Sequence, residues 1–316
     1  MTLKMRGWQL TGAGEPLALV ERDVPDLAPD EVLLAVRGSG LCHSDVTELE
    51  RATVVAFKPI IIGHEIAGEI VAVGSAVTDW TVGMRVAVCP TASETIPGYS
   101  RHGGFANYHV APTASLVPIP DAVDWSLGAM MTDAGMTSYH ALMVRGGCKP
   151  GMKVGLIGFG GLGQLAARVA VITGADVHVA EPKESVWPIA REAGVENIVT
   201  DANQWAGQGF DLVVDFAGFD TTRPAIRAVR VDGTVVQVGL GKDEIILSSS
   251  ELSQSQVRLY GTMGGTPQDI RDLFALVESG QLKPVVTEIG FDDIPAGIAD
   301  LTAGRVTGRL VARMSD

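Results

Sequence analysis

Residues 153–163 read Lys-Val-Gly-Leu-Ile-Gly-Phe-Gly-Gly-Leu-Gly, and their surroundings give them meaning. Lys153 to Ile157 is a short apolar run suited to a strand buried on both faces of a sheet. Gly158-Phe-Gly-Gly-Leu-Gly163 follows at once, and Leu162 to Thr173 then carries a helical pattern. A glycine signature alone is weak in a chain with 38 glycines, but between a strand and a helix it is strong. Gly158, Gly160, Gly161 and Gly163 allow a tight turn, close approach of backbone to a pyrophosphate, and close helix–strand packing. With Leu162 they open a helix whose N-terminus faces the phosphates.

The alternation continues outward from this loop. Asp176 to Ala180 reads as a strand, Ser185 to Ala193 as a helix and Phe210 to Asp215 as a strand. Thr221 to Val229 reads as a helix and Gly233 to Val238 as a strand. Strand and helix in turn, with short links, predict an α/β unit with a doubly wound parallel sheet of the Rossmann type. Glu181 ends the strand after the loop, about 20 residues on, where an acid can hydrogen-bond both ribose hydroxyls. A carboxylate there repels a 2′-phosphate, so NAD is expected over NADP, with nearby Lys183 weakening that preference.

The first third has a different texture. Glu31 to Val36, Glu69 to Val73, Met84 to Val88 and Phe105 to Val110 read as short strands, the last before a turn at Ala111-Pro112. They predict a compact β-rich unit, and Leu127 to Leu142 follows with apolar residues at helical spacing. Beyond Gly261, Pro267 to Ser279 reads as a helix, and Val285 to Ile289 and Arg309 to Arg313 as strands.

Bulk properties narrow the function classes. A net charge of −13, from 24 basic and 37 acidic residues, repels phosphate backbones and argues against nucleic acid as a partner. No segment reaches the apolar length of a membrane span, and Met1 to Leu10 lacks the apolar run of a signal peptide. Cys42, Cys89 and Cys148 are too few and too scattered for a disulfide framework, so a reducing, cytoplasmic location is expected.

Two short fragments carry metal-ligand types: Leu41-Cys42-His43-Ser44-Asp45 and Gly63-His64-Glu65. A catalytic zinc takes Cys, His and acidic ligands and keeps an open position. Neither fragment alone establishes a metal, because a lone Cys is usually a small buried hydrophobe.

Taken with the Gly158 loop, in order and spacing over essentially the whole chain, these fragments resemble the zinc-dependent medium-chain alcohol dehydrogenases. Within that family the closest motif match is to bacterial secondary alcohol dehydrogenases with an Asp zinc ligand. The resemblance implies a GroES-like β-rich catalytic domain, residues 1–135 and 263–316, around a Rossmann domain, residues 136–262. It places zinc ligands at Cys42, His64 and, in Thr132-Asp133-Ala134-Gly135, at Asp133, where many relatives carry Cys. Glu65 matches a glutamate that coordinates the metal transiently, and Asp45 is expected to orient the His64 ring. Oxygen is a harder ligand than sulfur and should leave the metal slightly more Lewis acidic.

The implied reaction is reversible oxidation of an alcohol, by preference secondary, to a ketone, with hydride passing to NAD. Ser44 is expected to take the alcohol proton, His43 and Arg309 to meet the pyrophosphate, and Val238 to Leu240 to edge the nicotinamide. Cys89, Pro90 and Met263 are expected in the apolar pocket, and Cys148 is expected to do no chemistry.

Two departures from the family stand out. Cys89 to Gly104 holds one cysteine where relatives often hold a cluster for a structural zinc, so a single catalytic zinc and no structural one is expected. Thr47 occupies the place of a histidine that passes the proton to solvent. Relatives pair through the edge of the Rossmann sheet, here Glu244 to Leu247 and its neighbours, implying a homodimer or homotetramer. The competing reading is a zinc-free quinone or enoyl reductase on the same two domains, for which Cys42, His64 and Asp133 would coincide by chance. A non-catalytic binding module would need neither Ser44 nor the ligand set.

Overall fold

A computed structural model describes residues 3–314. The chain separates into two units, one from residues up to Ala134 together with those from Thr266 onward, the other Gly135–Gly265.

In the second unit the strands run parallel in the order Asn197–Val199, Asp176–Ala180, Lys153–Ile157, Phe210–Asp215, Val229–Gln237 and Arg258–Gly261. This is the doubly wound order, and its direction reverses between Lys153–Ile157 and Phe210–Asp215. Val154, Leu156, Val213, Val214, Val235 and Val236 are buried, as the apolar runs require of strands covered on both faces. Helix Gly161–Thr173 follows the first strand, and Thr222–Ala228 follows Phe210–Asp215. The last of these helices stops earlier than its apolar pattern suggests, because Val229 turns extended and begins the next strand.

In the first unit one sheet runs Val286–Gly290, Arg309–Arg313, Glu31–Leu41, Glu65–Val73, Arg85–Val88, Leu116–Pro118, with Tyr108–Pro112 also on Glu31–Leu41. A second sheet, Ala18–Asp23, Lys4–Leu10 and Ile60–Ile61, closes over a core that includes Leu34, Leu41, Ile60, Ile61, Ile66 and Ile70. Two strands are longer than the sequence pattern marks. Glu31–Leu41 runs on to the residue before Cys42, and Glu65–Val73 begins at Glu65 itself. Expected strand Phe105 to Val110 is displaced: pairing runs over Tyr108–Pro112, through the Ala111-Pro112 step read as a turn. Proline is tolerated there at the strand's last residue.

The helical run Leu127 to Leu142 is not one regular helix. Helix Trp125–Met130, N-capped by Asp124, widens into a π turn at Met131–Gly135, and a second π turn spans His140–Arg145. Such turns recur at functional sites because the extra residue re-aims a side chain. The residue here is Asp133.

Candidate metal and dinucleotide sites

Adjacent antiparallel strands bring the two metal fragments together. Glu31–Leu41 delivers Cys42, which caps helix His43–Arg51, and the Asp45 carboxylate accepts the Cys42 N–H at 2.9 Å. The register pairs Gly40 with Glu65, so His64 and Glu65 lie across from Cys42 at the same end of the sheet. The π turn adds Asp133. The donor atoms of Cys42, His64, Glu65 and Asp133 all lie within 4.8 Å of one another.

Asp133 Oδ2 is 3.3 Å from Cys42 Sγ and 3.4 Å from His64 Nε2. The other His64 nitrogen, Nδ1, lies 3.4 Å from Asp45 Oδ1, the position of a group that orients a ligand ring. Arg309 is buried, with Nε 3.2 Å from Glu65 Oε2 and Nη2 3.0 Å from Asp133 Oδ2. Its guanidinium is thus engaged by the acids of the ligand cluster.

These charges set the protonation of the donors. Burial works against a Cys42 thiolate, but the Arg309 guanidinium and His64 more than offset it and lower the thiol pKa. Burial likewise disfavours a charged His64, yet the Asp45 carboxylate, with Tyr99 and Asp133, raises its pKa well above the ordinary imidazole value. Metal binding would displace the His64 proton, and a thiol biased toward thiolate, a histidine and two carboxylates converging on one point fit a zinc site, with thiolate and carboxylate as the anionic ligands.

Ser44 is exposed on the first turn of the helix, its Oγ 3.6 Å from Cys42 Sγ. His43 is exposed beside it, and Thr47 donates to the His43 carbonyl at 3.1 Å. Cys89 and Pro90 are buried. Tyr99 was not singled out from the sequence, yet its ring centre stands 5.7 Å from that of His64. Nothing in its local pattern marks it. The shortened segment after Cys89 carries it there, through backbone bonds to Ile96 and Ala56.

The dinucleotide loop lies wholly in the second unit. Gly158 has φ +89°, a left-handed conformation that glycine adopts without strain, and the chain enters helix Gly161–Thr173 through Gly160. A Cβ on Gly163 would overlap the Gly158 carbonyl, so the helix packs this close only with glycine there. By helix geometry the N–H groups of Gly161, Leu162 and Gly163 have no partner within the helix and are available to an anion. Glu181 reaches back under the loop: Oε2 accepts the Phe159 N–H at 2.8 Å and Oε1 the Lys183 N–H at 2.8 Å.

Val238 and Gly239 both donate backbone N–H to the Asp215 carbonyl, while Leu240 is 81% exposed. Met263 is also exposed. Cys148 is buried, and burial pushes its thiol up to about 11, which keeps it unreactive. Glu244 to Leu247 lies outside any strand; the outer strands of the described sheet are Asn197–Val199 and Arg258–Gly261.

Comparison with known proteins agrees with this architecture. Residues 28–121 match the alcohol dehydrogenase GroES-like domain, and residues 161–279 the zinc-binding dehydrogenase domain. An alcohol dehydrogenase of Geobacillus stearothermophilus is 30% identical, covering 95% of this chain and 97% of its own length. Acetophenone reductase from Geotrichum candidum, solved in complex with NAD, superimposes with a TM-score of 0.92 at 29% identity, over 99% of this chain and 97% of that one. An alcohol dehydrogenase of Aeropyrum pernix has the same fold, with a TM-score of 0.90 at 24% identity over 98% and 99% of the two chains. The two units are therefore a GroES-like domain and a Rossmann domain. The chain belongs to the zinc-dependent medium-chain alcohol dehydrogenase family.

Proposed function

We propose that this oxidoreductase interconverts a secondary alcohol and its ketone with NAD, using a single zinc held by Cys42, His64 and Asp133. The observation that carries the reading is the convergence of those three donors, with Glu65, within 4.8 Å. A zinc-free quinone or enoyl reductase would have no use for it.

When bound, zinc supplies Lewis acidity toward the substrate hydroxyl, and the nicotinamide supplies the hydride acceptor. The protein's own groups do the rest. Ser44, exposed beside Cys42, receives the hydroxyl proton at Oγ and releases it toward the cofactor ribose. Thr47 donates its hydroxyl to the His43 carbonyl and is not a titratable base of the kind a histidine would supply at that place. Asp45 holds the His64 ring. For Arg309 the buried ion pairs favour balancing the charge of Glu65 and Asp133, and His43, whose pKa burial and Arg309 lower, is left to meet the pyrophosphate as a neutral hydrogen-bond donor. Glu65 stands by as an alternative ligand.

NAD is preferred over NADP because Glu181 presents a carboxylate at the ribose position. The absence of further cysteines between Cys89 and Gly104 supports one zinc per chain. Among the described residues no helix is long and apolar enough to cross a membrane, and three free, buried cysteines favour a cytoplasmic setting. Ile246 at 86% exposure, and half-exposed Tyr260 on the edge strand Arg258–Gly261, suit surfaces covered in a homodimer or homotetramer.

The test is zinc per chain by elemental analysis, paired with turnover of secondary alcohols and NAD. About one zinc with turnover is expected. Zinc-free protein that reduces ketones or activated alkenes would move the assignment to the zinc-free reductases.

A further inference from the structure

We propose that Asp215 is a positioning residue for the nicotinamide half of the dinucleotide crevice. The inference rests on the NAD reading above and adds to it a residue that touches neither the glycine loop nor the metal cluster.

Asp215 ends strand Phe210–Asp215 and pairs in register with Ile157, the last residue of the strand before the glycine loop. These two strands flank the reversal of the sheet order. In a doubly wound sheet the dinucleotide lies across the carboxyl ends of the strands at that reversal, one mononucleotide half on each side. Gly158, Glu181 and the strands Lys153–Ile157 and Asp176–Ala180 belong to one half. The residues after Asp215 and after Val229–Gln237 belong to the other.

Asp215 is fully buried, and its carboxylate organises that second half. Oδ1 accepts the N–H groups of Ala217 and Gly218, each at 3.0 Å. Oδ2 accepts the Thr221 hydroxyl at 2.7 Å, and Thr221 accordingly makes no side-chain cap on the helix it precedes. The Asp215 carbonyl takes both N–H groups of Val238 and Gly239, at 2.9 Å each. A relay closes the ring: Thr222 Oγ1 donates to Gln237 Oε1 at 2.7 Å, and Gln237 Nε2 donates to the Gly239 carbonyl at 2.7 Å. The two loops then bond directly, Gly241 N–H to Ala217 O at 3.2 Å and Lys242 N–H to Gly218 O at 3.0 Å.

A buried carboxylate is costly unless its lone pairs are filled, so the bonds to Asp215 define one arrangement of the two loops and penalise others. No comparable link runs from Asp215 to the loop and acid that hold the adenosine side. Its carboxylate therefore acts directly on the nicotinamide half, and on the glycine loop only through Ala217, which packs against Gly158.

The experiment compares NADH with ADP-ribose, which lacks the nicotinamide, binding to the full-length protein by calorimetry. Asp215→Asn keeps the shape but replaces an acceptor with a donor facing the Thr221 hydroxyl. It should weaken NADH by about ten-fold or more while leaving ADP-ribose within about two-fold. Thr222→Val, which removes the relay through Gln237 and the longer 3.5 Å contact of the same hydroxyl with Asp215 Oδ2, should act in the same direction and serves if the Asp215 variant does not fold. A parallel loss of both ligands, or no loss of either, would overturn the assignment of Asp215. Wild-type protein that binds neither ligand would overturn the NAD reading itself, and this proposal with it.

Discussion

The Phe159 N–H donates to Glu181 Oε2 at 2.8 Å, so the acid proposed to select the cofactor is also a strut of the glycine loop. With Oε1 held by the Lys183 N–H, the carboxylate is oriented before any ligand arrives. Glu181→Ala removes the repulsion toward a 2′-phosphate together with this strut. The NAD-to-NADP ratio of kcat/KM should fall by about ten-fold or more, through loss with NAD as well as gain with NADP. An unchanged ratio would remove Glu181 from the ribose.

Gly163 admits no side chain where the loop turns into the helix, because a Cβ would overlap the Gly158 carbonyl. Gly163→Ala should push the helix N-terminus away from the loop and cost about 1–3 kcal/mol of stability. NADH affinity should fall with it, read by fluorescence titration. Unaltered affinity would mean that the loop does not bind through this turn.

Removing one metal donor leaves the others without a shared partner. Cys42→Ala and Asp133→Ala should each lower zinc content, by elemental analysis after dialysis, and abolish alcohol oxidation. NADH binding should persist, since the glycine loop and Glu181 lie in the other unit. Retained zinc in Asp133→Ala would show Glu65 able to complete the set.

Ser44→Ala tests the proton path. General acid–base groups contribute about 10²–10⁴-fold, so kcat should drop by at least about a hundred-fold with zinc content intact. A rate within a few-fold of wild type would exclude Ser44 as the proton acceptor.

His109 supplies a pH dependence unrelated to catalysis. It is buried at 2% exposure, and that burial, with Arg101 beside it, depresses its pKa to about 3. The unfolded chain takes up this proton near pH 6.5, so the contribution is complete above that value and is lost as pH falls toward 3. Between pH 7 and pH 5 the loss is on the order of 2 kcal/mol from this group. Urea unfolding of wild type and His109→Leu at both pH values checks it: the variant should show the smaller drop, and equal slopes would exclude His109 as the source.

Much of the Rossmann domain was legible because its signals are local. A buried strand, a turn that needs glycine and a helix start are adjacent in the chain, and Glu181 closes the next strand. Family resemblance supplied the metal-ligand assignment, since two fragments and one acid far apart in sequence carry no local period linking them.

The boundaries and the partners were not legible in the same way. The strand Lys4–Leu10, the extension of Glu31–Leu41 to the brink of Cys42, and the shift of pairing to Tyr108–Pro112 depend on what lies alongside each segment. Tyr99 beside His64, and Arg309 on Glu65 and Asp133, link residues whose neighbours in sequence say nothing about them. The sequence alone determined the order of strands and helices and the chemistry available, because periodicity, turn residues and ligand types are properties of the chain. The tertiary structure alone decided which charges meet, because strand register and the widened turn at Met131–Gly135 set the distances over which those charges act.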